Sequence, residues 1–286
     1  METLATGYTL IEGPVWDPAG GLLYSDVHDG GVFRLDASGA VTTVIEHRRG
    51  IGGIALHELG GLVVGGRNIA YKGPAAAGTV VLLDQERAGG GVGFNDLTTD
   101  ASGRIYVGSL GASPFDPQAE QKTGFLHVID LDGSSRVLAP GIRLTNGLGF
   151  SPDGRLLYHS DSRAQIVGVY DVRADGSVGE RRVFARVEPG VPDGLAVAED
   201  GSVWVAVAGA GVVRVFDAGG DERRPLEVAL PMVTSLCFGG DDLRDLYVVT
   251  GSAGAPTDHS GTVYRTRVDL PGLPVPAARV ALTRAA

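Results

Sequence analysis

The sequence predicts an all-β fold built from six copies of one unit, on three observations. A turn followed by an apolar strand recurs six times, as WDPAGGLLYSD, ALHELGGLVVGG, TTDASGRIYVG, FSPDGRLLYHSD, VAEDGSVWVA and CFGGDDLRDLYVV. Aligned on Tyr24, Val64, Tyr106, Tyr158, Trp204 and Tyr247, the copies are spaced by 40, 42, 52, 46 and 43 residues, which is the blade period of a β-propeller. No stretch keeps a helical period for three turns between breakers, whereas β-branched and aromatic residues alternate in short runs bounded by Gly, Asp and Pro. A six-bladed β-propeller with four-stranded antiparallel blades accounts for all three.

Each copy justifies its own blade. After the turn and first apolar strand comes a second strand: GVFRLD, TVVLLD, GFLHVID, IVGVYDV, GVVRVFD and GTVYRTR in chain order. One blade cannot bury both faces of its sheet, so the blades must stack on their neighbours around an axis, which also protects their strand edges. The 23 residues before Tyr24 and the 39 after Tyr247 suffice to close the last blade with strands from both chain ends. The unbroken repeat is therefore read as one propeller domain over residues 1–286.

Composition narrows the function. Glycine is abundant, at 45 of 286 residues, as many tight turns require. A net charge of −10 argues against nucleic-acid binding, which needs clustered Lys and Arg. Cys237 is the sole cysteine, so there is no internal disulfide framework, and in SLCFGG it reads as a packed residue rather than a nucleophile. METLATGYTLIEGP has neither the basic start nor the apolar run of a signal peptide, and nothing reads as a membrane span. A cytoplasmic protein with a small-molecule partner is expected.

A polar residue precedes the apolar strand by about ten positions in four copies: Glu12, Asn95, Asn146 and Asp193. The two weaker copies carry Gly52 or Gly53 and Thr234 or Ser235 there. The chain has only three Asn, and two of them fall at this position. In a propeller, equivalent starts of the innermost strands surround one mouth of the central channel, so these four side chains should converge. Two carboxylates and two amide oxygens suit a hard divalent cation, and a cation would let the two acids tolerate each other. The competing reading makes Asn146-Gly147 and Asp193-Gly194 turn dipeptides, which leaves Glu12 and the strands that follow unexplained. There is no G-x-S-x-G elbow, H-E-x-x-H or P-loop. His127 and His159 fall in strands as packed imidazoles, and His28 falls in a surface loop.

EGPVW at Glu12, FND at Asn95, LTNGLGFSPDG at Asn146, PDGLAV at Asp193 and TSLCFGG at Ser235 resemble the SMP-30/gluconolactonase/LRE family of six-bladed propellers, from about residue 10 to residue 266. The resemblance implies a divalent metal held by Glu12, Asn146 and Asp193, with Asp193 doubling as general base. It implies a substrate-binding role for Asn95, and for Glu120 in AEQKTGFLHV. Gly93 stands where sugar-lactone hydrolases of the family carry an Arg, which shifts the expected substrate away from sugar lactones. Arg67, in GGRNIAYKGP, is a candidate replacement cation.

The sequence thus points to a metal-dependent hydrolase opening a lactone or similar cyclic ester, with Ca²⁺ as the first choice of cation and Mg²⁺, Mn²⁺ or Zn²⁺ as alternatives. Two other readings stay open. One is an organophosphate or aryl-ester hydrolase, which would need an apolar, aromatic channel mouth. The other is a non-catalytic ligand-binding propeller with a structural cation.

Overall fold

The period-two alternation of apolar residues becomes strands throughout the computed structural model, which describes residues 1–74, 78–116 and 118–282. The chain opens with β1 (Glu2–Tyr8) and then lays down blade 1 as β2 (Ile11–Asp17), β3 (Gly21–Asp26), β4 (Val32–Leu35) and β5 (Val41–Ile45). Blade 2 is β6 (Ile54–Leu56), β7 (Leu62–Val64), β8 (Ile69–Lys72) and β9 (Thr79–Leu83). Blade 3 is β10 (Gly93–Thr99), β11 (Ile105–Leu110), β12 (Gly124–Ile129) and β13 (Ser135–Ile142). Blade 4 is β14 (Thr145–Phe150), β15 (Leu156–Asp161), β16 (Ile166–Asp171) and β17 (Arg182–Arg186). Blade 5 is β18 (Val191–Val197), β19 (Val203–Ala208), β20 (Val212–Phe216) and β21 (Glu222–Glu227). Blade 6 adds β22 (Val233–Gly239), β23 (Asp245–Thr250) and β24 (Gly261–Arg267), with β1 as its fourth strand. All pairings inside the blades are antiparallel, and no α-helix occurs among the described residues.

The first strands of the blades, β2, β6, β10, β14, β18 and β22, contact one another in sequence and back to β2, which closes the ring. Hydrogen bonds between β1 and β24 tie the two ends of the chain into one blade, as the repeat count required. Asp residues close many of the hairpins by accepting backbone N–H groups in Asx turns. Asp36 takes Ser38 N at 2.8 Å and Ala40 N at 3.0 Å, and Asp100 takes Ser102 N at 2.9 Å and Arg104 N at 3.0 Å.

The alignment residues Tyr24, Val64, Tyr106, Tyr158, Trp204 and Tyr247 all lie on second strands and are buried. They fall in five of six hydrophobic clusters, each formed mainly between two neighbouring blades: Val15 with Ile54 and Leu62, for example, and Tyr106 with Leu148 and Leu157. The core is thus a ring of inter-blade interfaces. After β24 the chain crosses the ends of the inner strands remote from their starts. Leu273 N donates to Val197 O at 2.9 Å, Ala278 N to Leu56 O at 2.8 Å, and Val280 O lies 3.1 Å from His57 Nε2. Ala278 and Val280 are buried against blades 2 and 3, so this tail covers the end of the channel opposite the inner-strand starts.

Trp204 joins blades 5 and 6, edge-on to Phe238 with ring centroids 5.5 Å apart, and its Nε1 donates to Ser202 Oγ at 3.0 Å. Trp204→Ala should cost about 3–5 kcal/mol of stability, as large-to-small core changes do. Urea unfolding followed by circular dichroism measures it, and a loss under about 1 kcal/mol would show that the interface between these blades does not hold the ring.

Candidate active site

Five inner strands slip in register near the repeat position, β22 between Val233 and Ser235 and four others at Glu12, Asn95, Asn146 and Asp193. The register slips between Glu12 and Val15 in β2, Phe94 and Leu97 in β10, Thr145 and Leu148 in β14, and Pro192 and Leu195 in β18. An extra residue in a strand re-aims a side chain. Here four of the bulges accompany Glu12, Asn95, Asn146 and Asp193, all of which line one cavity of about 870 Å³ at the starts of the inner strands. Glu12, Asn146 and Asp193 are buried to 7, 7 and 5 % exposure, and Asn95 is half-buried.

Glycines let the strands meet there. A Cβ on Gly13 would lie 3.0 Å from Gly52 O, one on Gly53 2.5 Å from Leu97 N, one on Gly147 2.3 Å from Leu195 N and one on Gly194 2.1 Å from Ser235 Oγ. Each of these glycines follows a repeat position and abuts the next blade. Gly52 itself makes room for Asn95, whose Oδ1 would be 1.9 Å from an added Cβ.

Hydrogen bonds fix the amides. Asn146 Nδ2 donates to Ser162 Oγ at 2.7 Å, and that hydroxyl donates to Pro192 O at 2.6 Å. Asn95 Nδ2 donates to Thr145 O at 2.9 Å and to Asn146 Oδ1. Both amide oxygens are thereby oriented, and Asn146 Oδ1 keeps a second lone pair. Glu12 Oε2 and Asp193 Oδ1, in contrast, are buried with no hydrogen-bond partner among the described residues.

The electrostatics are correspondingly unfavourable. Burial raises Glu12 well above the usual carboxylate range, with Asp193 and then Asp96 adding like-charge repulsion. Burial likewise raises Asp193 well above its ordinary value, with Asp96 as the second cause and the Gly194 N–H opposing. Asp96 is pushed up to about 7 by burial. Buried acids with orphaned oxygens are the environment a hard cation relieves. Among the described residues no three His, Cys, Asp or Glu side chains form a ligand cluster, so a metal here would rely on amide oxygen as well as carboxylate. Glu12, Asn146 and Asp193 together provide that mixed set.

Asp96 is a buried acid acting on Glu12 and Asp193 that sequence reasoning did not single out. It was legible: blades 1, 2, 4 and 5 place Gly13, Gly53, Gly147 and Gly194 after the repeat position, and blade 3 alone places an acid there.

Arg67 does line the cavity, from the turn joining β7 and β8, and it is exposed. Arg48 buckles that turn, donating to Gly65 O at 3.0 Å and to Asn68 O and Oδ1 at 2.9 Å each. Arg49 and Gln85, not singled out in the sequence, also line the wall. Glu120 is not brought to the site. It lies exposed on the β11–β12 loop, paired with Lys122 at 3.0 Å, while the same loop turns Pro114 and Phe115 toward the cavity. Gly93 cannot simply be exchanged for Arg, because its Cβ would lie 2.9 Å from Gly66 O, which accepts the Phe94 N–H at 2.7 Å. Arg67 Cα is 3.7 Å from that same point, so a neighbouring blade occupies the space and carries a guanidinium of its own.

The strand histidines are packed, His159 Nε2 on Thr145 Oγ1 at 2.7 Å and His127 Nε2 on Ser109 Oγ at 3.0 Å, and burial lowers both to about 4. His28 is exposed, 4.8 Å from the Phe115 ring. Cys237 sits in β22, with burial raising its thiol pKa. Among the described residues no helix is long and apolar enough to cross a membrane.

A six-bladed propeller with an oxygen-donor floor to an open cavity is the class that the fold and site define. Residues 10–252 match the family described as SMP-30/Gluconolactonase/LRE-like region, and the chain belongs to it. It is 31% identical to 6-deoxy-6-sulfogluconolactonase of Pseudomonas putida, over 93% of each chain. It is 32% identical to pentonolactonase XacC of Haloferax volcanii, over 94% of each. A solved gluconolactonase from Xanthomonas campestris superposes with a TM-score of 0.77 at 26% identity, covering 92% of this chain and 89% of that one.

The buried acids give a pH signature in protein stripped of divalent ions. Folded Asp96 holds its proton up to about 7, against 3.8 ordinarily. Between those values the folded state binds more protons than the unfolded, so this contribution to stability is lost as pH rises. His127 and His159, depressed by burial, act in the opposite sense at lower pH but equally in any Asp96 variant. Asp96→Asn should therefore raise the Tm of chelator-treated protein at about pH 8 relative to about pH 5, compared with the parent chain. Thermal scans at the two pH values check this, and an unchanged Tm difference would show that Asp96 carries no such strain.

Proposed function

We propose that the protein is a divalent-metal-dependent lactonase. The observation that carries this reading is the pair of orphaned carboxylate oxygens, on Glu12 and Asp193, at the floor of a large open cavity. Its lactonase relatives support the same reaction. Glu12, Asn146 and Asp193 would hold the cation, with Ca²⁺ first and Mg²⁺, Mn²⁺ or Zn²⁺ as alternatives. Such a cation supplies polarisation of the lactone carbonyl and compensation for negative charge developing on its oxygen.

The side chains supply the rest. Asp193, made basic by burial, accepts a proton as the oxygen of water bonds to the acyl carbon. The acyl carbon–ring oxygen bond then breaks, and the proton passes from Asp193 to the departing ring oxygen, leaving a hydroxy acid. Asn95, with Nδ2 committed to Thr145 and Asn146, offers Oδ1 to water or substrate. Arg67 offers a guanidinium from the wall to substrate or product oxygens. The open cavity above the floor favours an enzyme over a propeller with a structural cation. The aryl-ester reading gains from the mouth, where Phe115 and other apolar residues lie, so phenyl acetate and paraoxon belong in the assay. Turnover of these with no lactone opened would shift the reading to that class.

Adding Ca²⁺, Mg²⁺, Mn²⁺ or Zn²⁺ to chelator-treated protein should raise its Tm; a ligand at 100 times its Kd stabilises by about 2.7 kcal/mol. No shift with any of the four, and no metal by elemental analysis, would refute metal binding. Asp193→Asn keeps an oxygen but cannot take the proton, so lactone hydrolysis at saturating metal should fall at least about 10²-fold with the fold intact by circular dichroism. Near-parental turnover in the metal-loaded variant would remove Asp193 from the mechanism.

A further inference from the structure

The residues two before each repeat position lie in the inner strands or just ahead of them, and they form a second ring above the floor. They are Leu10, Gly50, Gly93, Leu144, Val191 and Met232, and all six line the cavity. None has a polar side-chain atom. Further out, Val92 and Phe115 continue the wall as exposed large hydrophobics, at 47 and 58 % exposure. The polar side chains above the floor, among them Arg49, Arg67 and Gln85, come from loops outside this ring.

On the lactonase reading, a reacting carbonyl at the floor puts the rest of the lactone ring against the second ring of residues. Sugar hydroxyls there would meet Leu, Val and Met side chains and lose water without a replacement partner, a penalty of roughly 5- to 100-fold in affinity for each unpaired group. A methylene in the same place gains roughly fourfold. The two glycine positions leave the wall open toward blades 2 and 3, where a substituent can leave the floor past Val92.

We propose that the cavity takes a lactone with a hydrocarbon ring and an alkyl substituent, not a polyhydroxylated sugar lactone. The bonds made and broken are those of the hydrolysis above, which this inference presupposes. Its substrate differs from those for which the two curated relatives are named.

The test measures kcat/KM of the metal-loaded protein on γ-butyrolactone, γ-nonalactone and gluconolactone, corrected for spontaneous opening. γ-Nonalactone should exceed γ-butyrolactone at least about tenfold, as several buried methylenes predict, and should exceed gluconolactone by as much or more. Met232→Gln and Val92→Asp should each reduce the γ-nonalactone to γ-butyrolactone ratio at least about threefold, chiefly through KM. The exposed Val92 position keeps this arm informative should Met232→Gln fail to fold. Gluconolactone as the best substrate, equal efficiency on the two γ-lactones, or a ratio unmoved by Val92→Asp would overturn the apolar substrate while leaving lactone hydrolysis standing. Opening of none of the three by protein with bound metal would instead overturn the lactonase reading itself.

Discussion

The close approach of the six inner strands at the axis is the constraint on which the rest of the molecule depends. Gly53, Gly147 and Gly194 meet the next blade at distances that no side chain tolerates, and Gly13 meets it at the limit of what one tolerates. With those contacts the ring is narrow enough for the polar residues from four blades to share one floor. Ring closure through β1 and β24 and the clusters between blades hold the strands there. A floor assembled from separate blades is rigid because each contributor is anchored by a different sheet.

What this geometry confines is charge. Glu12, Asp96 and Asp193 come from blades 1, 3 and 5; burial raises the proton affinity of all three, and like-charge repulsion adds to it for Glu12 and Asp193. The amides beside them are oriented by Ser162, Thr145 and one another, whereas two of the carboxylate oxygens lack partners. Stability and chemistry meet at this point: a buried carboxylate without a counter-charge costs folding energy, and the same group is a stronger base than an exposed one.

Family membership and wall chemistry address different questions. The repeat positions and the family match concern the scaffold and its floor, whereas the substrate meets the residues above it. There the backbone of Gly66 and Arg67 fills the space where a Gly93 side chain would begin, and the nearby guanidinium comes from a turn of the second blade. At Gly93 the wall is therefore formed by the neighbouring blade, and proteins that share a scaffold can differ in the wall above it.

The sequence by itself determined the blade count, the antiparallel hairpins and the register of Glu12, Asn95, Asn146 and Asp193, because strand period and turn chemistry are local and the repeat makes equivalent positions comparable. It also contained Asp96, visible as the acid standing where four other blades have glycine. Only the tertiary structure decided which loop residues reach the cavity. Arg67 does, on a turn held by Arg48, while Glu120 is turned away with Lys122. Loop direction depends on contacts with other blades, such as that between Gly66 and Phe94, and no local pattern encodes them. The ring from Leu10 to Met232, with no polar side-chain atom, likewise belongs to no single segment, since it exists only once six blades are brought around one axis.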